Sequence, residues 1–598
     1  FRSRVVVMRQ HVATLTKWGI RGFVGCVLYD VSSREWSVRH TWETALKQYA
    51  LYALMRIAGR RQLQQLISDA ENGEEVQRSL LAEFLQRHQD TLYGQSHGLQ
   101  GVVTLDIFRR THPITHHGHY ADYIKKIREG QQNVLAPGRP QMLAMTSGTS
   151  GSPKLVPHTE EVSKIFFQRG VIAAIGVLDE AFPGSVNELQ RSAKLTFRTE
   201  KRELENGLAV GSNSANPSTR GFKSMLFAYA SPMAAYDLYG EQDALYAHAL
   251  FALKDKNLGI MEANFAPLLC MLFDAMKENK RHLVQDLRNG HIWDRHLPEN
   301  VPQADRAAID AALGGPDGPR SREVEKLLKS GATASELWPN LRVVMATDGG
   351  SFQASARRLK ELLGDVEIYS PFYAATEGLL GINIFPQRPF GVSTYLLDPN
   401  SMFFELLPVS YRTVENPPAD APIPAWDAQV GEAYEIIVTT RGGFCRYRLG
   451  DIVRVMAMFG KMPVVAVEER ALHFLPSLHG ERVAEAVFLK ALAEAPISKR
   501  IRGAAVVEEP GKLSGARYHI FVEPDGTMKK TSDFQADDER SLDEALCNEH
   551  EVYASFRRKG AIQSIQLHYV QAGTFATLRH VLANKEVAGD FPPVGGSQ

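Results

Sequence analysis

Apolar residues recur along this chain at two spacings, and the spacing changes where the element type should change. Val76, Leu80, Leu81, Phe84 and Leu85 fall three to four apart, which predicts an amphipathic helix over 74–88. The preceding stretch, 41–67, is rich in Ala, Leu and Tyr and also reads as helix, with a basic end from Arg56 to Arg61. A short run from Gln141 to Met145 reads as a strand feeding a Gly/Ser/Thr turn, and a long helix is predicted from Glu160 to about Leu178. Ala244 to Leu253 and Phe265 to Leu287 read as helices around a strand near Gly259. Leu341 to Ala346, Phe352 to Leu363 and Val366 to Ser370 then form a strand–helix–strand unit, its helix stopped by Gly364. Alternation of this kind predicts an α/β domain with at least partly parallel strands.

Two segments lack either period. Residues 204–221, rich in Asn, Ser and Gly, read as a loop or insertion, and 294–320, polar and rich in Pro and Gly, as an exposed connection. Tyr434 to Thr440 and Arg446 to Met456 read as a hairpin turning at Gly442-Gly443. Beyond about residue 470 the pattern becomes that of a small α+β unit. It has helices from Val483 to Leu492 and Leu542 to Arg557, and strands at Ala504–Glu508, Tyr518–Glu523 and Ile565–Val570.

Composition narrows the function classes. At 598 residues the chain is too long for one ordinary core. Lys plus Arg and Asp plus Glu are each 68, so nothing favours a polyanionic partner, and nucleic acid is set aside. Cys26, Cys270, Cys445 and Cys547 are scattered without a CxxC pair, which argues against zinc and against a disulfide scaffold; they read as reduced and structural. No apolar run approaches the roughly 18 residues of a membrane span. The expectation is a cytoplasmic protein, although residues 1–29 carry Arg2, Arg4, Arg9, Lys17 and Arg21 without an acid and also suit a targeting segment.

Three stretches carry candidate chemistry. In Met145-Thr-Ser-Gly-Thr-Ser-Gly-Ser-Pro-Lys154 the glycines let backbone N–H groups turn toward phosphate oxygens. Ser147, Thr149 and Ser150 add hydroxyls, and Lys154 adds a mobile positive charge. The spacing is not that of the GxxxxGK[ST] loop. In Tyr369-Ser-Pro-Phe-Tyr-Ala-Ala-Thr-Glu377, Tyr373 sits where a strand emerges into a loop and could stack on a flat heterocycle. Glu377 could hold Mg²⁺ beside phosphates or simply cap a helix N-terminus. In Arg446-Tyr-Arg-Leu-Gly-Asp451, an acid after Gly at a strand's start could accept bonds from vicinal ribose hydroxyls, or could be an ordinary turn.

Taken in order, these stretches resemble the plant auxin-responsive Gretchen Hagen family of acyl acid amido synthetases, within the adenylate-forming, firefly-luciferase-like superfamily. The phosphate loop is completed by Leu155-Val-Pro157. Trp338-Pro-Asn340 and Gly381-Ile-Asn383 accompany the second motif, and Glu432 to Thr440 the third. Thr91 to Gly94, Tyr120 with Tyr123, Gln242 to Tyr246, Asp286 to Gly290 and Gly573 to Phe575 also fall in family order, so the resemblance spans roughly residues 75–580.

The resemblance implies a large α/β domain of the adenylate-forming type over 75–469, a small α+β lid over 470–598, and a lead-in over 1–74. It implies ATP and Mg²⁺ as cofactors, and a small carboxylic acid and an amino acid as substrates. By the same resemblance Ser147, Gly148, Thr149, Ser150, Gly151 and Lys154 would hold phosphates, with Lys154, Thr149 and Glu377 closest to the reaction. Tyr373 and Thr376 would line the adenine and α-phosphate site, Glu377 would ligate Mg²⁺, and Asp451 would hold the ribose. Arg470 resembles the superfamily's hinge arginine. The acyl pocket is expected near Phe166, Phe167 and Arg169 and within 208–232; Arg169 could pair with a substrate charge but reads rather as a solvated helix face, and His158 could contact a ligand but reads rather as loop packing. One departure is visible: the family's terminal lysine is missing from Ala588 to Val594, with Lys585 offset. Two other readings therefore stay open, a thiol acceptor in the second step or a catalytically silent nucleotide-binding or scaffold protein.

Overall fold

A computed structural model describes residues 24–102, 104–145, 154–197, 202–211, 220–238, 241–292, 302–349, 352–412, 414, 416–470, 483, 485–508, 517–525, 536–558 and 562–578. The chain divides into two compact units. One takes Phe1–Gly73, Val162–Glu200 and Asn213–Ser401; the other takes Glu74–Glu161, Lys201–Ser212 and Met402–Gln598.

The first unit is built on four parallel strands in the order Arg191–Leu195, Leu258–Phe265, Val343–Thr347 and Glu367–Tyr369. Their side chains alternate between two cores, as the period of a strand requires. Leu195, Met261, Val344 and Ile368 join a large cluster with Leu250, Phe251, Leu269 and Trp338. Ile260, Val343 and Tyr369 face the other way, into a cluster with Leu63, Val177 and Leu178. Apolar clusters therefore cover both faces of the sheet, as a parallel sheet requires.

The helix Trp42–Glu71 starts on a capping box in which Thr41 and Thr44 exchange bonds of 2.9 and 3.3 Å. It packs against Ala173–Ala181 through paired glycines. A Cβ on Gly176 would lie 2.5 Å from the Gly59 carbonyl oxygen, and one on Gly59 would lie 2.7 Å from the Gly176 nitrogen. Neither backbone atom can swing aside. Gly176→Ala is therefore expected to cost about 1–3 kcal/mol, read from the shift in a urea midpoint. An unchanged midpoint would mean that the two helices can separate at this crossing without loss of packing.

The long helix predicted from Glu160 is continuous to Ala181, but Phe166–Ile172 winds as a π-helix between α-helical ends. The segment predicted as an exposed connection is corrected. Gln303–Leu313 and Gly318–Ser330 are helices, and Ile309, Leu313, Arg320 and Ser321 are buried. Pro302, Gly314, Asp317, Pro319 and Gly331 are their starts and stops, so residues read as loop composition are caps.

In the second unit five antiparallel strands run in the order Ile423–Pro424, Phe403–Pro408, Ala433–Thr439, Tyr447–Phe459 and Met462–Arg470. A smaller sheet pairs Met142–Met145 with Leu155–His158 and, in parallel, with Ala209–Gly211. That third strand corrects the reading of 204–221 as loop throughout; three residues are too few to show a period. The α+β unit predicted after 470 carries strands Ile501–Glu508, Tyr518–Pro524 and Gln566–Tyr569 and its own cluster around Phe488, Ile520, Leu542 and Tyr553. Among the described residues no helix is long and apolar enough to cross a membrane, and the four cysteines are free thiols.

Buried histidines make stability depend on pH. Burial holds His40, His88 and His248 at about 4 and His112 at about 3, against an ordinary 6.5. Each is neutral in the fold but takes up a proton in the unfolded chain below pH 6.5. Their contribution is complete above that value and is lost as pH falls toward the folded pKa. The Tm should therefore drop steadily from pH 6.5 to about 4.5, with a shallower slope in His88→Gln. A flat Tm across that window would contradict the assignment.

Candidate functional site

The first motif is a hairpin whose roots are fixed. Met142 pairs with His158 and Met145 with Leu155, so 146–154 connects the two strands. Ser147, Gly148, Thr149, Ser150 and Gly151 lie outside the described residues. Lys154, half-buried, immediately precedes the second strand. His117 Nε2–H donates to the Leu155 carbonyl, 3.0 Å away. Burial lowers the His117 pKa, the Leu155 bond partly offsets this, and the nearby Lys154 charge lowers it further. His117 belongs to a segment in which Thr115 bridges Tyr447, with Thr115 N–H to Arg446 O and Arg448 N–H to Thr115 O both 2.9 Å. The second unit thus ties the root of the Gly/Ser/Thr stretch to the strand bearing the third motif.

That strand, Tyr447–Phe459, holds Asp451 well inside it rather than at its start, which corrects the sequence reading. Asp451 is buried and lies opposite Arg470 in register. Gly450 has φ +86, and the register shifts just beyond it, so Gly450-Asp451 marks a bulge where only glycine avoids strain.

The two arginines before it are internal struts. Arg446, with φ +42 and no exposure, binds Glu405 bidentately at 2.8 Å. Its remaining N–H groups reach the carbonyls of Arg109, His112 and Ala419 at 2.6–2.9 Å. Arg448 binds Glu435 at 2.6 and 3.0 Å and the carbonyls of Val414 and Arg412. Glu405 and Glu435 were missed from sequence, although each is a lone acid in an apolar strand, Phe-Phe-Glu-Leu-Leu and Ala-Tyr-Glu-Ile-Ile. A charge in that setting needs a buried partner.

In the first unit the strands Phe372–Ala375 and Gly378–Ile382 form a tight antiparallel pair with Thr376 and Glu377 at the turn. Tyr373 is within the first strand and buried, not at a strand-to-loop exit. Glu377 is also buried and precedes a strand, which removes the helix-cap reading. Gly381 permits close approach, since a Cβ there would lie 2.6 Å from the Leu396 carbonyl oxygen. Tyr373, Thr376 and Glu377 are thus brought together in one unit, and Lys154 and Asp451 belong to the other.

Around the predicted acyl pocket, Arg169 is not on a solvated face. It is buried in the π-helical turn, bidentate to Asp398 and 2.7 Å from Asp69. Those carboxylates raise its pKa against the opposing effect of burial, and they occupy the charge that a substrate would need. His158 is buried in a strand rather than packed in a loop. Phe167 is exposed and Phe166 packs on Phe372 at 5.5 Å.

Comparison with known proteins adds a family. The GH3 family N-terminal domain matches residues 62–368, its central domain 395–470 and its C-terminal domain 505–591. Jasmonoyl–L-amino acid synthetase JAR6 of Nicotiana attenuata is 26% identical over 522 residues, covering 84% of this chain and 87% of that protein. The GH3 domain-containing protein of Mus musculus is 33% identical over 352 residues, 58% of this chain and 61% of its own. A solved GH3.15 acyl acid amido synthetase shares the fold, with TM-score 0.74, 21% identity, and coverage of 90% and 94% of the two chains.

Proposed function

The chain belongs to the GH3 family, and from that premise we propose that it is an ATP-dependent acyl acid amido synthetase. A carboxylate oxygen attacks the α-phosphorus of ATP, and the bond to pyrophosphate breaks. An amino acid nitrogen then attacks the acyl carbon, AMP leaves, and the ammonium proton passes to solvent. The observation that carries the proposal is family similarity through all three GH3 domains, with amido synthetases aligned over most of both chains.

The residue roles are part of the same proposal. The backbone and hydroxyls of Ser147, Gly148, Thr149, Ser150 and Gly151 cradle the phosphates, and Lys154 offsets their charge as the anionic acid approaches. Tyr373 and Thr376 line the nucleotide, Asp451 accepts from the ribose hydroxyls, and Arg470 marks the hinge of a lid over 470–598. Lead-in 1–74 and catalytic 75–469 complete that division. Mg²⁺ suits the residues present. Glu377 is a single carboxylate at a turn, and among the described residues no group of three or more His, Cys, Asp or Glu could hold a metal. One or two carboxylates plus substrate phosphates is the usual Mg²⁺ arrangement. Bound there, the ion would neutralise phosphate charge. The unpaired cysteines suit a reducing compartment such as the cytoplasm.

ATP–pyrophosphate exchange across a panel of small carboxylic acids, followed by amino acid-dependent AMP release, tests the proposal. Exchange without amine dependence would point to a thiol acceptor. A silent nucleotide-binding protein is favoured by one observation, the missing lysine between Phe591 and Pro592. Nucleotide binding without exchange for any acid would select that reading.

A further inference from the structure

Open α/β sheets receive ligands beyond the carboxyl ends of their parallel strands. In the first unit Val343–Thr347 ends at Asp348. Its neighbour Glu367–Tyr369, with Met345 opposite Tyr369, runs on through Ser370 to Tyr373 and Glu377. Asp348 is therefore at the same end of the sheet as the second motif, although no motif includes it.

Asp348 is only 5% exposed, and its two oxygens are treated differently. Oδ2 accepts from the Arg388 guanidinium and, at 3.1 Å, from the Ser393 hydroxyl. Oδ1 is buried and, among the described residues, has no hydrogen-bond partner. Arg388, whose φ is +53, also donates to the Ile368 carbonyl at 2.6 Å, so it is itself anchored and fixes the carboxylate's orientation. Beside this group the Tyr395 phenol bonds Ser370 at 2.7 Å, and its ring is 5.8 Å from that of Tyr373. Burial and the Asp348 charge both push the Tyr395 pKa up. Among the described residues, a Cβ built on Gly349 meets nothing within 4 Å.

A buried carboxylate oxygen without a donor is costly to leave that way, and a ligand N–H is the natural remedy. We infer that Asp348 is a specificity-determining residue that accepts from the 6-amino group of adenine and so selects ATP over GTP. The inference rests on the adenylation reading above. Adenine offers an N–H donor at position 6. Guanine offers a carbonyl oxygen there, whose lone pairs would face the carboxylate. Bonds to a charged acceptor are the strong ones, and a site with a buried polar group rejects analogues that leave it unpaired.

The test is pyrophosphate exchange with ATP, GTP and purine riboside triphosphate, which lacks the 6-amino group. In the unaltered protein the KM for purine riboside triphosphate should exceed that for ATP by roughly 10- to 100-fold. In Asp348→Asn, an amide can turn its N–H toward the guanine oxygen, so the preference for ATP should narrow about tenfold, with GTP exchange rising in absolute rate. Loss of stability cannot produce that rise. Equal KM values for ATP and the 6-unsubstituted analogue, or an unchanged ATP-to-GTP ratio in Asp348→Asn, would overturn the assignment. No exchange with any nucleotide would overturn the adenylation reading, and this assignment with it.

Discussion

Glu405→Ala is expected to destabilise the protein by about 3–5 kcal/mol, the usual effect of removing one partner from a buried ion pair. The pair Arg446–Glu405 has essentially no exposure on either side, and every N–H of the guanidinium is bonded. Alanine would leave a cation away from water with three carbonyls and no counter-charge. Removing both charges should cost less than removing one, because the desolvated cation disappears with its partner. Glu405→Leu with Arg446→Met is therefore expected to recover part of the loss. Exposed helical pairs such as Arg78–Glu74 offer the contrast, at about 0–1 kcal/mol. Urea denaturation of the two variants decides this. A Glu405→Ala loss below about 1 kcal/mol would mean that water or another anion reaches Arg446.

Glu377→Gln and Asp451→Ala are each expected to slow acid-dependent pyrophosphate exchange by roughly 100- to 1000-fold, the scale of losing one group that stabilises developing charge. Glutamine keeps the shape of the turn between Phe372–Ala375 and Gly378–Ile382 and removes only the charge, so the fold should survive. Asp451 is more deeply buried, and its removal could also weaken the strand. The useful reading is therefore the KM for ATP against kcat at a temperature well below Tm. A loss confined to kcat in Glu377→Gln fits a group acting on the phosphates, whereas loss of ribose contacts in Asp451→Ala should raise KM. Wild-type exchange in either variant would remove that residue from the reaction.

Legibility from sequence followed locality. Helix 74–88, the strand–helix–strand unit around Phe352 to Leu363 and the hairpin at 434–456 were readable because their periods and stop signals lie within a dozen residues. Residues 303–330 were not, because Pro and Gly mean a loop or a helix end depending on what the intervening Ile309 and Leu313 pack against. Arg169 failed for the same reason. Its partners Asp69 and Asp398 are remote in sequence, and a helical arginine without visible partners reads as solvated.

The amino-acid sequence by itself carried the family resemblance: a Gly/Ser/Thr loop closed by Lys154, an acid after Thr376, and Gly450-Asp451 stand in family order, and the matched family domains follow that order. It also determined the alternation of strand and helix, since that is written in short-range spacing. Tertiary structure alone decided which charged side chains are spent on the fold. Arg446, Arg448 and Arg169 are each neutralised by carboxylates dozens to hundreds of residues away or across a hairpin, while Asp348 keeps one oxygen without a donor among the described residues. Burial and pairing are properties of three-dimensional neighbours, and no local window of residues contains them.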